Sequence, residues 1–194
     1  SRDTVALAEK SLEIAKTRGL KIVEGCAQAQ ASLGAGEVVE GVNFNDPVQT
    51  VIAGSRAGVE KACEVLKAMG AKRTLPLPVS APFHSSLMRP AADRLKERLD
   101  ATELEAPRIP VVNNVDVAIE AEPSRIRDAL VRQAAAPVRW VECVKAMRAR
   151  GVQSMVECGP GKVLSGMIKR IEPELACATV YDPTTLKETL EALA

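Results

Sequence analysis

The spacing of apolar positions along the chain predicts helices that alternate with short strands. Val59, Ala62 and Leu66 recur at the interval of an amphipathic helix, and Ser55 before them is a good N-cap. Residues 48–53 form a short β-branched run, which is typical of a strand. Strands that alternate with helices in this way indicate an α/β architecture.

The same reasoning divides the rest of the chain. Gly19 closes the first predicted helix, at residues 2–18. Pro76 and Pro78 confine the strand at 73–79 to a sheet edge, because proline cannot donate to a ladder. The other predicted helices cover residues 22–33, 59–69, 87–99, 123–134, 138–150 and 183–193, and one more helix follows residue 162 and ends at 171. The other predicted strands cover residues 109–112, 154–158 and 176–180.

Composition narrows the class of protein. At 194 residues the chain is one large domain or one domain with a small appendage. The content of 46% hydrophobic and 26% charged residues is ordinary for a soluble globular protein, and with 2% aromatic residues the core must be aliphatic. The net charge of +1 gives no global reason to expect nucleic acid or an anionic membrane as a partner.

Cysteine usage and targeting signals favour the cytoplasm. The five cysteines are odd in number and form no C-x-x-C pair, which argues against a disulfide framework and a structural zinc site. No apolar run approaches the roughly 18 residues that span a bilayer, and no signal peptide opens the chain. The chain begins without Met on a helix-like pattern, so we expect it to be the middle of something longer.

The chain has a single histidine, His84, in a proline-flanked stretch that precedes the helix predicted at 87–99. Histidine is the side chain that exchanges protons near neutral pH, so His84 is a candidate general base. Ser85 and Ser86 are also good N-cap candidates, which leaves His84 as a bystander at a helix start as the competing interpretation.

Eight further segments match one protein family, in the same order along the chain and with the same spacing. They are Val42-Asn43-Phe44-Asn45, Val51-Ile52-Ala53-Gly54, Gly70-Ala71-Lys72-Arg73, Leu75-Pro76-Leu77-Pro78-Val79-Ser80, Pro110-Val111-Val112-Asn113-Asn114-Val115-Asp116, Ala129-Leu130-Val131-Arg132-Gln133, Pro137-Val138-Arg139-Trp140 and Glu157-Cys158-Gly159-Pro160-Gly161-Lys162-Val163-Leu164. With His84 they resemble the C-terminal two-thirds of the bacterial malonyl-CoA:acyl carrier protein transacylases, from about residue 36 to about 182.

The resemblance implies an α/β-hydrolase-like acyltransferase core, incomplete here, with an inserted small ferredoxin-like subdomain. On that basis residues 1–19 are a core helix, 20–82 the small subdomain and 83–194 the remainder of the core. Between residues 19 and 42 the chain is shorter than the family, and the first strand of the small subdomain is expected to be absent. We expect a cytoplasmic monomer that needs neither metal nor cofactor.

The resemblance also implies a reaction, in which malonyl passes from malonyl-CoA to a serine and then to the phosphopantetheine thiol of acyl carrier protein, for fatty-acid biosynthesis. His84 matches the histidine that deprotonates the serine and the incoming thiol. Gln133 matches the residue whose backbone carbonyl orients that histidine, the task that Asp has in the better-known triad. Malonyl-CoA and acyl carrier protein are therefore the expected partners.

Four more residues are substrate-binding candidates by resemblance. Asn43 and Asn45 match positions that line the acyl pocket, although an Asn-rich turn before a strand would explain them equally. Phe83, just before the histidine, fits malonyl selectivity in related polyketide acyltransferases, or is an ordinary core residue. Arg18 resembles the arginine that pairs with the malonyl carboxylate, but one alignment places Ser11 there instead.

Two oxyanion-hole and nucleophile motifs of the family do not occur. The sequence contains no G-x-S-x-G and no Gly-Gln-Gly-Ser-Gln. A piece of a cleaved or longer enzyme, a natural truncation and a rearrangement each explain this, and we favour the first. The alternatives to an active transacylase are an inert remnant that binds acyl carrier protein through Lys72, Arg73 and Lys162, or a polyketide-type acyltransferase domain.

The turn at residues 159–161 has two interpretations. Free N–H groups at the start of the following helix could bind an anion, but a tight strand-to-helix turn explains the Gly-Pro-Gly equally and is preferred. Asn113 and Asn114 are likewise expected to be turn residues outside the site.

Overall fold

The computed structural model of the chain describes residues 4–10 and 18–193. The chain divides into two compact units, of which the first ends at Trp140 and the second begins at Val141. In the first unit the elements are β1 (Thr4–Lys10), α1 (Arg18–Gln30), β2 (Val39–Asp46), β3 (Gln49–Ser55), α2 (Arg56–Ala68), β4 (Thr74–Leu77), a 3-10 turn (Ser86–Met88), α3 (Arg89–Asp100) and α4 (Pro123–Gln133). They are followed by α5 (Trp140–Ala149), β5 (Ser154–Cys158), α6 (Val163–Ile171), β6 (Ala176–Val180) and α7 (Pro183–Leu193).

The first unit contains an antiparallel sheet in the order β2-β3-β1-β4. Strand β1 is central, because Ala6 pairs with Ala53 of β3 on one side and with Leu77 of β4 on the other. The helix predicted at 2–18 is therefore wrong over residues 4–10, and the strand expected to be missing from this sheet is present. Hydrogen bonding to two neighbouring strands outweighs the helical propensity that this segment shows alone. Residues 2, 3 and 11–17 of that prediction lie outside the described residues.

Helices α1 and α2 form the core of the first unit with one face of the sheet. Val59, Ala62 and Leu66 of α2 are buried together with Ile22 of α1 and Ile52 of β3. The helical spacing read from the sequence is thus confirmed as a core-facing stripe. Ser55 is confirmed as the N-cap of α2, since its hydroxyl accepts a hydrogen bond from the backbone N–H of Gly58 at 3.3 Å.

Strand β2 overturns the turn interpretation of the Asn-rich segment. Asn43 and Asn45 lie inside β2, which pairs with β3 and has register shifts next to both residues. Such bulges accommodate residues that have low strand propensity. Strand β4 is confirmed as an edge strand of this sheet, where Pro76 requires no ladder partner for its nitrogen.

The strand predicted at 109–112 is wrong. Ile109 and Val111 are 76% and 61% exposed, and the ladder contact in this stretch is a single bridge between Val112 and Ile119. Pro110 removes an N–H donor from the middle of the run, which limits pairing. The turn predicted at Asn113 is confirmed, because its side chain accepts from the N–H of Asp116 at 2.7 Å.

In the second unit β5 and β6 pair in parallel, from Ser154 opposite Ala176 to Cys158 opposite Val180. Helix α6 connects them, so the strands and helix predicted here are confirmed. The preferred turn at residues 159–161 is also confirmed, with φ of 135° at Gly159 and 99° at Gly161, conformations that favour glycine. Among the described residues, no helix is both long and apolar enough to cross a membrane.

Candidate active site

His84 lies in a tight loop with an unusual backbone conformation. Its φ is +64°, a left-handed value that few residues with a side chain adopt. The loop is closed by its own hydrogen bonds, because the N–H and the hydroxyl of Ser85 both donate to the carbonyl of Pro82, at 3.2 and 2.7 Å. Ser85 is fully buried, so the turn is anchored in the protein while the His84 ring stays half-buried.

The His84 ring is hydrogen-bonded to the end of a helix. Its Nδ1 lies 2.9 Å from the backbone carbonyl oxygen of Gln133, the last residue of α4. Carbonyls in the last turn of a helix lack partners within the helix and carry the negative end of its dipole. Because a carbonyl can only accept, Nδ1 bears the proton and Nε2 of the neutral ring presents a lone pair.

This arrangement can act as a general base. The free Nε2 accepts a proton from a hydroxyl or thiol, and the Gln133 carbonyl stabilises the imidazolium that results. Ser85 cannot be the nucleophile beside it, since its hydroxyl is buried and donates to Pro82. The geometry therefore supports the general-base interpretation of His84 over that of a bystander at a helix start.

Strand β2 lies beside the segment that follows Gln133. The N–H of Val138 donates to the carbonyl of Val42 at 2.8 Å, and the N–H of Phe44 donates to the carbonyl of Val138 at 2.9 Å. Asn43, between them, forms a parallel bridge with Val138. The structure thus brings the strand that carries Asn43 and Asn45 close to the helix end that binds His84.

The structure says less about the remaining substrate-binding candidates, Phe83 and Arg18. Phe83 is 50% exposed, next to His84 in the loop, so it is not an ordinary core residue. Arg18 is the first residue of α1, but its side chain lies outside the described part of the structure, as does Ser11.

Comparison with known proteins finds similar sequences and similar solved structures. The chain is 49% identical over 170 residues to the malonyl CoA-acyl carrier protein transacylase of Escherichia coli K12, a match that covers 88% of the chain and 54% of that protein. The solved acyl-carrier-protein S-malonyltransferase of Burkholderia pseudomallei 1710b is 53% identical, with a TM-score of 0.90 over 98% of this chain and 59% of its own. No protein-family model matches the chain.

The chain is homologous to the malonyl CoA-acyl carrier protein transacylases. It spans about half the length of the curated relatives that it matches. A further relative, 43% identical with a TM-score of 0.90, is a malonyl-transacylase solved in complex with its type II PKS acyl-carrier protein, and the match covers 98% of this chain and 59% of the other.

Two site features were not visible in the sequence. The side chain of Glu40, on β2, accepts a hydrogen bond from the backbone N–H of Ser86 at 2.8 Å. Arg132, one residue before Gln133, binds both carboxylate oxygens of Asp116 at 2.7 Å. Neither contact could be predicted from the neighbouring sequence, because each joins residues that are distant along the chain.

Proposed function

We propose that this chain supplies the general base of a malonyl-CoA:acyl carrier protein transacylase that acts in fatty-acid biosynthesis. The hydrogen bond between His84 Nδ1 and the Gln133 carbonyl carries the proposal, because it leaves Nε2 free to take a proton. Homology to enzymes with this name supports the choice of reaction. The nucleophilic serine would come from polypeptide beyond the 194 residues, since they contain no G-x-S-x-G.

The reaction has two transfers. In the first, His84 Nε2 takes the serine proton while the serine oxygen attacks the malonyl thioester carbon, and the bond to the CoA sulfur breaks as the thiolate takes that proton. In the second, Nε2 takes the proton of the phosphopantetheine thiol, whose sulfur attacks the malonyl ester. The serine oxygen leaves and regains a proton from the imidazolium, so the enzyme returns to its starting state.

We further propose that Phe83, Asn43 and Asn45 line the acyl site and that Arg18 pairs with the malonyl carboxylate. The half-exposed ring of Phe83 beside His84 supports its role, and the contact of β2 with Val138 supports the roles of Asn43 and Asn45. For Arg18 the support is the family resemblance alone. Arg18→Lys should raise KM for malonyl-CoA more than it lowers kcat, because lysine keeps the charge and loses the bidentate contact.

The architecture that we propose is a ferredoxin-like subdomain inserted in an α/β-hydrolase-like core. The β-α-β-β-α-β order and the β2-β3-β1-β4 sheet support the first part, with β1 joining residues 20–82. Residues 83–194 would belong to the core. We place the enzyme in the cytoplasm as a monomer that uses no metal or cofactor.

Intact mass spectrometry of the purified protein, before and after incubation with malonyl-CoA, tests this function. We expect one malonyl adduct on the wild type, discharged when acyl carrier protein bearing phosphopantetheine is added, and no adduct on His84→Ala. A wild-type protein that never forms an adduct, or a His84→Ala protein that forms one at the wild-type rate, would overturn the proposal.

The absence of G-x-S-x-G within the sequence favours one second candidate, a chain that binds acyl carrier protein without catalysis. The relative solved with its carrier protein supports it, as do the exposed Lys72, Arg73 and Lys162. This candidate predicts salt-sensitive binding of acyl carrier protein without a malonyl adduct, and Lys162→Ala should weaken that binding. Lys61→Ala is the control and should leave binding unchanged, because the Lys61 ammonium already pairs with Glu64 at 3.0 Å. Calorimetry that detects no binding at low salt would exclude it.

A further inference from the structure

Besides the Gln133 carbonyl, a carboxylate on β2 also holds the loop that carries His84. Glu40 Oε2, on β2, accepts the N–H of Ser86 at 2.8 Å, although the two residues are 46 positions apart. Ser86 begins the 3-10 turn, and Ser85 at its N-cap makes no side-chain capping bond, since its hydroxyl donates to Pro82. Glu40 therefore satisfies the N–H of the first residue of the turn, which has no partner within the turn.

The restraint acts two residues after a strained position. The left-handed conformation of His84 costs free energy relative to the ordinary helical or extended regions, and it persists where surrounding contacts hold it. The hydrogen bonds to Pro82 close the loop on the N-terminal side of Ser86. Glu40 fixes the loop to the sheet on the C-terminal side, so the backbone at His84 cannot shift away from β2 without losing a charged hydrogen bond.

The same strand also holds the partner of His84. Val42 and Phe44, two and four residues after Glu40, exchange backbone hydrogen bonds with Val138, which follows Gln133 by five residues. Both sides of the His84–Gln133 hydrogen bond are thus fixed to β2. A small shift of the His84 loop along this strand would lengthen the 2.9 Å contact to the Gln133 carbonyl.

We propose that Glu40 is a positioning residue for His84: through the N–H of Ser86 it keeps the ring in the Nδ1–H tautomer and Nε2 free as the base. This inference rests on the proposed function for its catalytic consequence, but its structural part does not. Glu40 transfers no proton. It acts as an acceptor, so an amide should replace its carboxylate better than a methyl group does.

The first test reads the tautomer directly. His84 is the only histidine in the sequence, so its ring nitrogens can be followed by ¹⁵N NMR and assigned by their loss in His84→Asn. We expect the neutral wild-type ring to be Nδ1–H, and Glu40→Ala to shift it toward the Nε2–H form that free histidine prefers. Glu40→Gln should stay close to the wild type, and Glu24→Ala, at an exposed position of α1, should match it.

A double-mutant cycle shows whether the effect passes through Ser86. Ser86→Pro removes the N–H donor at the first position of the turn, where proline is tolerated. Glu40→Ala should then change nothing further in the Ser86→Pro background. Circular dichroism of each variant separates repositioning from loss of fold. If Glu40→Ala does not fold, Ser86→Pro alone should shift the tautomer, because it removes the same hydrogen bond from the donor side.

The second test is kinetic and uses the complete enzyme. We expect Glu40→Ala to lower kcat about tenfold with KM for malonyl-CoA unchanged, since a charged hydrogen bond has about this strength, and Glu40→Gln to restore most of the loss. An unchanged tautomer in Glu40→Ala, or an equal effect in the Ser86→Pro background, would overturn the inference. If Glu40→Ala shifts the tautomer but the wild-type protein has no transferase activity, the proposed function is wrong and the positioning role of Glu40 is still supported.

Discussion

Arg132 binds Asp116 through both terminal guanidinium nitrogens, each 2.7 Å from a carboxylate oxygen, and its Nε contacts Asp128 at the same distance. Arg132 directly precedes Gln133, whose carbonyl accepts from His84. The ion pair therefore ties the end of α4 to the turn that begins at Asn113. The hydrogen bond from Arg132 holds the pKa of Asp116 below its usual range, and the same contact raises the pKa of Arg132.

The lowered pKa of Asp116 determines how the stability contributed by this ion pair changes with pH. Because folding lowers the pKa of Asp116, its carboxylate stabilises the fold above the ordinary value of 3.8, and the contribution is lost as the pH falls through the folded-state value. The side chains of Arg132 and Asp116 are 43% and 32% exposed, so Asp116→Asn should lower the free energy of unfolding by only about 0.5–1 kcal/mol at pH 7. Urea unfolding at pH 7 and pH 3 measures this loss.

A matched control is Asp93→Asn, at an exposed position of α3. It should leave the free energy of unfolding unchanged at both pH values. The difference between wild type and Asp116→Asn should shrink at pH 3. A cost that is equal at the two pH values would show that Asp116 acts through packing instead of its charge.

Glu157 provides a second carboxylate whose loss should be measurable. It accepts from the N–H of Leu164 at 3.1 Å and from the N–H and hydroxyl of Ser165 at 2.8 and 2.7 Å, which satisfies the start of α6. Burial alone would raise the pKa of Glu157, but these hydrogen bonds outweigh it and the pKa is lowered. We expect Glu157→Ala to destabilise α6 by about 1–2 kcal/mol.

Amide hydrogen exchange of α6 is the appropriate measurement, because the two units of the chain need not unfold together. Protection should fall across the helix in Glu157→Ala, and it should fall in the wild type as the pH drops below 4.5, the ordinary glutamate pKa, through the lower folded-state value. Glu174→Ala, at an exposed position of the same unit, should change nothing. Unchanged α6 protection in Glu157→Ala would contradict the capping role.

The elements that the sequence predicts correctly have local causes. The stripe of Val59, Ala62 and Leu66 defines α2 whatever packs against it, and Pro76 excludes a central strand position by its covalent structure. Strand β2 is different. Asn43 and Asn45 have low strand propensity, and the segment becomes a strand because β3 and Val138 offer it hydrogen-bond partners.

The site shows the same division. The sequence pairs His84 with Gln133 only through the family resemblance, since the two residues are 49 positions apart and nothing in the local pattern requires their contact. Nothing in the sequence distinguishes Glu40 from the other glutamates. Its hydrogen bond with Ser86 depends on the direction of the Ser86 N–H, which the tertiary structure decides.

Gly54 marks a point where the sheet accepts no side chain. It lies in β3 between β1 and β2, and a Cβ there would overlap the backbone carbonyl of Val38. Backbone cannot move aside as a flexible side chain does, so Gly54→Ala should cost about 3 kcal/mol or more. Gly34→Ala is the matched control, because nothing lies within 4 Å of its Cβ. Similar urea midpoints for the two variants would show that the sheet relaxes around Gly54.

In the proposed function Gln133 acts through its backbone carbonyl, which gives a sharp test of the site. If the carbonyl alone orients His84, Gln133→Ala should retain the Nδ1–H tautomer and transfer malonyl within about twofold of the wild type, since the substitution keeps both helix and carbonyl. His84→Ala should lower kcat by about 10²–10⁴ or more, because it removes the base itself. Steady-state transfer to acyl carrier protein compares the two. A loss in Gln133→Ala as large as that in His84→Ala would mean that the Gln133 side chain, and not its carbonyl, is the group that the reaction needs.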